Sequence, residues 1–160
     1  MLVQYLPETE LRAGRTFAAV LHGEGARGAT FRIGPFSSAA QLDTIARAAH
    51  GAGRVVIATY VRRIEGEGGF AIPARLARWI EELASHERTV VVVSFGNPYL
   101  LRQFPAVGSY LAAYGISDDL ERAAADVLTG RAAVGGTIPV SLPGLFTRGD
   151  GLTREVRPAR

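Results

Sequence analysis

Apolar residues along this chain fall into two kinds of run. Three segments repeat at i, i+3, i+4 and i+7, the spacing that lines one face of a helix. Leu42, Ile45, Ala46 and Ala49 make the first, with Ser37 and Ser38 before it as cap candidates and Gly51 after it, a residue suited to the left-handed C-terminal position. Leu76, Trp79, Ile80 and Leu83 make the second, opened by Pro73, where a first-turn proline is tolerated. The third, Leu120, Ala123, Ala124, Val127 and Leu128, starts after Ser117-Asp118-Asp119 and stops at Gly130. Its two acids suit the positive end of a helix dipole.

The intervening apolar runs, residues 16–21, 55–60, 90–95 and 108–114, read as strands. The four valines from Val90 to Val93 do not alternate with polar residues, so both faces of that strand are expected to be buried. A parallel sheet covered by helices on each side does this. Residues 30–33 and 137–142 look like further extended pieces, and Pro139 and Pro143 steer the second toward an edge or a strap. Strand and helix alternate, which predicts an α/β fold: a three-layer sandwich with a mainly parallel sheet and helices on both faces. The reading places a single α/β domain over residues 1–152 and a loose polar tail over 153–160.

With 160 residues the chain is large enough to bury roughly 70% of the surface of its unfolded form, and 48% hydrophobic residues suit a folded domain. It lacks a run of about 18 apolar residues, and its first ten residues lack the build of a signal peptide, so no membrane partner is expected. Cysteine is absent, which removes disulfides, thiolate metal sites and cysteine nucleophiles. The net charge is +3, but the 18 basic residues, all Arg, are scattered. Nucleic-acid binding would need them in a stripe.

Residues 23–28 satisfy G-x-G-x-x-G after an apolar run. A dinucleotide cradle would also need a helix to open at the third glycine, whereas Ala29-Thr30-Phe31-Arg32-Ile33-Gly34-Pro35 is extended in character. A flexible glycine loop is the better reading. His22 and Glu24 form H-x-E, but the deaminase signature that this would open needs cysteines. His50 and His86 sit near predicted helix ends, where they complement the dipole and cap carbonyls. Neither Ser94 nor Ser109 lies in a G-x-S-x-G elbow. The loop over residues 61–72 holds Arg62, Arg63, Glu65 and Glu67 after a predicted strand, the place where open α/β sheets meet ligands. Paired arginines there could fork onto sugar hydroxyls or anions, so these four are the candidate substrate-binding residues. No cofactor, metal or catalytic residue is assigned.

A denser pattern runs from Thr89: Val90-Val91-Val92-Val93-Ser94-Phe95-Gly96-Asn97-Pro98-Tyr99-Leu100-Leu101, Phe104-Pro105, Tyr110-Leu111-Ala112-Ala113-Tyr114, then Leu128-Thr129-Gly130 and Gly136-Thr137-Ile138-Pro139-Val140-Ser141-Leu142-Pro143. In order and spacing these resemble the C-terminal α/β domain of family 3 glycoside hydrolases, above all the β-N-acetylhexosaminidase-like branch. The resemblance implies an accessory domain that packs on a separate N-terminal (β/α)₈ barrel, the barrel supplying the nucleophile of a retaining mechanism, and that touches the carbohydrate at most by its loops. In glucosidase-type members it implies an acid/base glutamate on the loop over residues 61–72, which makes Glu65 or Glu67 the positional candidate. The acetylhexosaminidase-like branch needs none from this domain. A free-standing nucleotide- or sugar-binding module using residues 23–28 is the remaining alternative. An isolated domain of this kind is expected to leave Phe70 and Tyr99 partly exposed and to be able to hide them in a homodimer.

Overall fold

The computed structural model describes residues 1–8, 10–62, 70–86 and 89–156. Five strands, β1 (Leu2–Tyr5), β2 (Thr30–Ile33), β3 (Val55–Val61), β4 (Val90–Gly96) and β5 (Tyr110–Ala112), form one sheet in the order β2-β1-β3-β4-β5. Every pairing in it is parallel. Four helices complete the layers: α1 (Arg15–Gly23), α2 (Ala39–His50), α3 (Ala74–His86) and α4 (Asp118–Thr129). A 3₁₀ helix spans Pro98–Gln103.

Side chains along β3 alternate between two cores, as a strand with period two requires. Val55, Ile57 and Val61 point to one face, where they pack with Leu42, Ile45, Leu76 and Ile80 of α2 and α3. Val56, Ala58 and Tyr60 point to the other, with Phe17 and Leu21 of α1 and Ala124 and Ala125 of α4. On that second face Tyr60 stacks on Phe95 at 4.7 Å, and Phe17 meets Phe95 edge-on at 5.4 Å. All seven β3 residues are buried, so the absence of alternation in the sequence follows from burial on both sides. The expected α/β sandwich is therefore observed.

Local signals explain the helix ends. Ser38 and Ser117 accept from the backbone N–H groups of Gln41 and Leu120, capping α2 and α4. Gly130 closes α4 in the left-handed region at φ 81°. Gly51 does not follow suit: it ends α2 at φ −95°, so the expectation of a left-handed cap there is corrected.

One strand was misassigned by its apolar run. Residues 16–21 lie in α1, where Phe17 and Leu21, one turn apart, both face the core. Six residues, five of them apolar, are too short a run for periodicity to separate strand from helix. The strand that takes the vacated place is β1, inside the first ten residues. A second correction follows: residues 23–28, expected to follow a strand and so to join the loops at the carboxyl edge, link α1 to β2 and sit at the amino end of the sheet. Residues 137–142 form no ladder; Leu142 is buried against the α2–α3 face, and Ile138 and Val140 pack beside it as a strap. Arg154 bridges back to Val134, with backbone hydrogen bonds of 2.8 and 2.9 Å.

A buried phenol, Tyr60, and a partly buried one, Tyr110, set an alkaline limit. Burial raises the Tyr60 pKa well beyond the ordinary tyrosine range, and the Glu121 carboxylate pushes it the same way. Burial also pushes Tyr110 up to about 12. The folded state thus keeps protons that the unfolded chain releases near pH 10. Stability is fully present below about pH 10 and falls as pH rises through the folded values. The Tyr60 hydroxyl lacks a hydrogen bond of good geometry among the described residues, since the Gln4 amide that interacts with it donates to the Gly14 carbonyl instead. Tyr60→Phe is therefore expected to raise neutral-pH stability by about 1 kcal/mol and to flatten the decline above pH 10. Urea unfolding at pH 7 and pH 11 checks both, and a destabilised variant at pH 7 would count against the unpartnered hydroxyl.

Candidate functional site at the carboxyl edge of the sheet

Because the strands are parallel, the loops that follow them gather at one edge. The strand order reverses between β1 and β3, since the chain leaving β1 turns toward β2 and the chain leaving β3 turns toward β4. The crevice outside the carboxyl ends of such a strand pair is where open α/β sheets seat ligands. Glu10, in the β1–α1 loop, and Arg62, directly after β3, form an ion pair across it. Glu10 is nearly buried, whereas 58% of the Arg62 side chain is exposed.

Arg62 thus occupies the crevice expected for it, while Arg63, Glu65 and Glu67 lie outside the described residues. Glu10 was not foreseen. No spacing in the sequence connects positions 10 and 62; the pairing of Leu2 through Tyr5 with Val56 through Thr59 brings them together.

The far end of the β3–α3 loop is held by two amide side chains. Asn97 donates from Nδ2 to the Phe70 carbonyl and accepts the Tyr99 N–H at 2.9 Å through Oδ1. Gln103 accepts the Ile72 N–H at 2.9 Å and donates to the Ile72 carbonyl at 2.8 Å. Ser94, earlier weighed as a nucleophile, donates from Oγ to the Asn97 carbonyl at 2.7 Å. The block Ser94-Phe95-Gly96-Asn97-Pro98-Tyr99 is thereby a strand end and turn that anchors the neighbouring loop.

Among the described residues, each of the five strands is followed at this edge by one exposed large apolar side chain: Leu11, Phe36, Phe70, Tyr99 and Tyr114. Phe70 and Tyr99 are 41% and 44% exposed, as expected. Lone exposed apolar residues are ordinary, but these five stand along a single edge.

Helix α1 starts at the same edge, where its free N–H groups would suit an anion. A carboxylate of the chain itself already fills that position. Glu121, 2% exposed, accepts the Gly14 N–H at 2.7 Å and the Phe17 N–H at 2.8 Å. Gln4 donates to the Gly14 carbonyl at 2.6 Å, and Arg32 to that of Ala13 at 3.2 Å. The loop carrying Glu10 is therefore pinned from three directions.

Residues 23–28 run into β2 and open no helix, so they lack the amide cradle that a dinucleotide needs. His22 beside them contacts the Ala26 carbonyl and the Thr30 hydroxyl, each at 3.0 Å. An open depression of about 580 Å³ lies at this amino end, lined by Met1, His22, Arg27, Arg54 and Leu128 among others. His86 contacts the Glu82 carbonyl at 2.7 Å, a structural role at the end of α3. Among the described residues no three His, Asp or Glu side chains converge as a metal site, and no helix is long and apolar enough to cross a membrane.

Residues 4–151 match the family model of the glycosyl hydrolase family 3 C-terminal domain. Comparison with curated proteins gave no match. Among solved structures, the chain is similar to a glycoside hydrolase family 3 β-N-acetylglucosaminidase from Paenibacillus sp. str. FPU-7, with TM-score 0.64 and 24% identity over 83% of this chain and 26% of that one. A fungal multi-domain family 3 β-N-acetylglucosaminidase gives TM-score 0.67 at 19% identity, over 94% of this chain and 16% of that one. A β-glucoside phosphorylase, BglX, bound to 2FGlc, gives TM-score 0.53 at 17% identity, over 82% and 24%. The chain thus spans about a quarter or less of the length of each, and these likenesses speak to the fold.

Proposed function

We propose that this chain, which belongs to the glycosyl hydrolase family 3 C-terminal domains, is the accessory domain of a retaining glycoside hydrolase of the β-N-acetylhexosaminidase or β-glucosidase kind. It docks through the carboxyl edge of its sheet on a (β/α)₈ barrel that carries the nucleophile. The observation that carries this reading is the row of exposed apolar side chains, one on each of the five loops at that edge. Burying them against a partner would remove apolar surface from water at roughly 25 cal/mol per Å². Arg62, on the same edge, would then border the sugar pocket, with Arg63, Glu65 and Glu67 as the further candidates that follow it in sequence; guanidinium groups donate to hydroxyl oxygens.

Two measurements test the proposal. The chain alone is expected to show no turnover of aryl β-N-acetylglucosaminides or aryl β-glucosides, because retention needs two groups flanking one glycosidic bond. Turnover that follows the folded chain and is abolished by a point substitution would refute it. In sedimentation at rising concentration, the chain is expected to self-associate through the exposed edge, as a homodimer that hides Phe70 and Tyr99. The double variant Phe70→Ser, Tyr99→Ser should weaken that association at least tenfold. A monomer at millimolar concentration would argue against a docking edge.

A further inference from the structure

The four candidate side chains on the β3–α3 loop leave open what holds the first of them in place. Arginine is long, and an exposed guanidinium samples many rotamers, whose loss on fixing it costs entropy. Arg62 is not left to do so. Its Nε faces Oε1 of Glu10, a residue only 9% exposed. That oxygen is buried and makes no hydrogen bond to any described group, so the Arg62 cation compensates it through the ion pair alone.

The backbone on both sides of the pair is stiff. The Glu10 N–H bonds to the Pro7 carbonyl at 3.0 Å, and the loop is fixed further on by Arg32, Gln4 and Glu121 at Ala13 and Gly14. Arg62 follows Val61, a buried residue whose carbonyl packs against Gly96 of β4. A nearly buried carboxylate set behind a half-exposed guanidinium is an expensive arrangement for stability alone, since the desolvation of the acid offsets much of the attraction. It is well suited to aiming. The ion pair is made at Nε, and of the five N–H donors of a guanidinium the four on the terminal nitrogens remain for a ligand.

We infer that Glu10 is a positioning residue: it holds Arg62 by Nε at the β1/β3 crevice so that the terminal guanidinium nitrogens face outward to receive the oxygens of a sugar. The inference rests on the reading of Arg62 as part of the sugar rim. Nothing in it requires Glu10 to touch the sugar.

The test uses the full chain with ¹⁵N-labelled arginine. The Arg62 Nε–H signal, assigned by its loss in Arg62→Lys, is followed for exchange with water and during titration with N-acetylglucosamine. In the native chain the proton should exchange at least tenfold more slowly than the other exposed arginine Nε–H groups, and the signal should shift with the sugar. Glu10→Gln should bring exchange up to the exposed-arginine rate and weaken the sugar response at least tenfold. Glu10→Asp, which keeps the charge on a shorter stem, should recover part of both, a partial rescue that a merely structural role would not give. Arg62 exchange that is fast in the native chain, or unchanged in Glu10→Gln and Glu10→Asp, overturns the inference. Glu10-dependent protection with no response to the sugar supports the role of Glu10 and sinks the sugar-rim reading instead.

Discussion

Glu121→Ala is expected to lower the unfolding free energy by about 4 kcal/mol. The carboxylate of Glu121 receives the Gly14 and Phe17 N–H groups from a position that is 2% exposed. Alanine would strand both donors in a space that water reaches poorly, and each stranded group costs about 1–3 kcal/mol. The N-terminus of α1 would also lose the negative charge that complements its dipole. For a chain of this length the loss corresponds to a fall in Tm of about 10 °C. Glu121→Gln, with one carbonyl oxygen left as acceptor, should give about half the effect. Urea unfolding measures the loss, and hydrogen exchange at Gly14 and Phe17 localises it. A loss below about 1 kcal/mol for Glu121→Ala would mean that the two N–H groups find other partners.

Glu121 also shows where the sequence stops being readable. Its three-residue neighbourhood, Asp119, Leu120 and Glu121, reads as the acidic first turn of a helix, and such a turn is found there. That one of those acids turns inward to cap a different helix depends on α1 and α4 lying side by side on one face of the sheet, a contact between residues more than a hundred positions apart. Period and capping signals are local, so they located α2, α3 and α4 and four of the five strands between or beside them. They failed at residues 16–21, where a short apolar stretch satisfies both periods, and they gave no strand at Leu2–Tyr5, four residues long and buried throughout. The two errors are linked. With β1 unread, the chain's entry into the sheet moved one element downstream, and residues 23–28 were carried to the wrong edge.

The candidate site divides the same way. Arg62 could be placed from sequence because it follows a clear strand, and strand ends are where ligands meet such sheets. Glu10 could not, because its proximity to Arg62 requires β1 beside β3. Asn97 was legible as part of a patterned block and Gln103 was not singled out at all; their grip on Phe70 and Ile72 of another loop is a property of the tertiary fold. The family resemblance partly replaced that missing information: it drew attention to residues 94–99 before any reason for their pattern was in view.

That reason is sharpest at Gly96, and it yields the second large effect. Gly96 ends β4 at φ +101°, a backbone region that side-chain-bearing residues rarely enter. A Cβ built there would overlap the Val61 carbonyl oxygen on the adjacent strand, and a backbone atom paired in a sheet has little room to retreat. Gly96→Ala therefore combines a left-handed penalty of about 1–2 kcal/mol with a steric clash, and a total loss of more than about 3 kcal/mol is expected. The damage should not stay local. Arg62 follows Val61 directly, and Asn97, which follows Gly96, holds Phe70 and Tyr99. Displacing these two strand ends would move the arginine and both aromatic residues of the docking edge together. The variant should thus lose self-association along with stability, whereas Gly53→Ala, at a glycine with nothing within 4 Å of its added Cβ and an ordinary φ, should change neither by a measurable amount. Urea unfolding and sedimentation of the two variants side by side make the comparison, and a Gly96→Ala chain as stable as the Gly53→Ala chain would show that β3 and β4 can part at this point without strain.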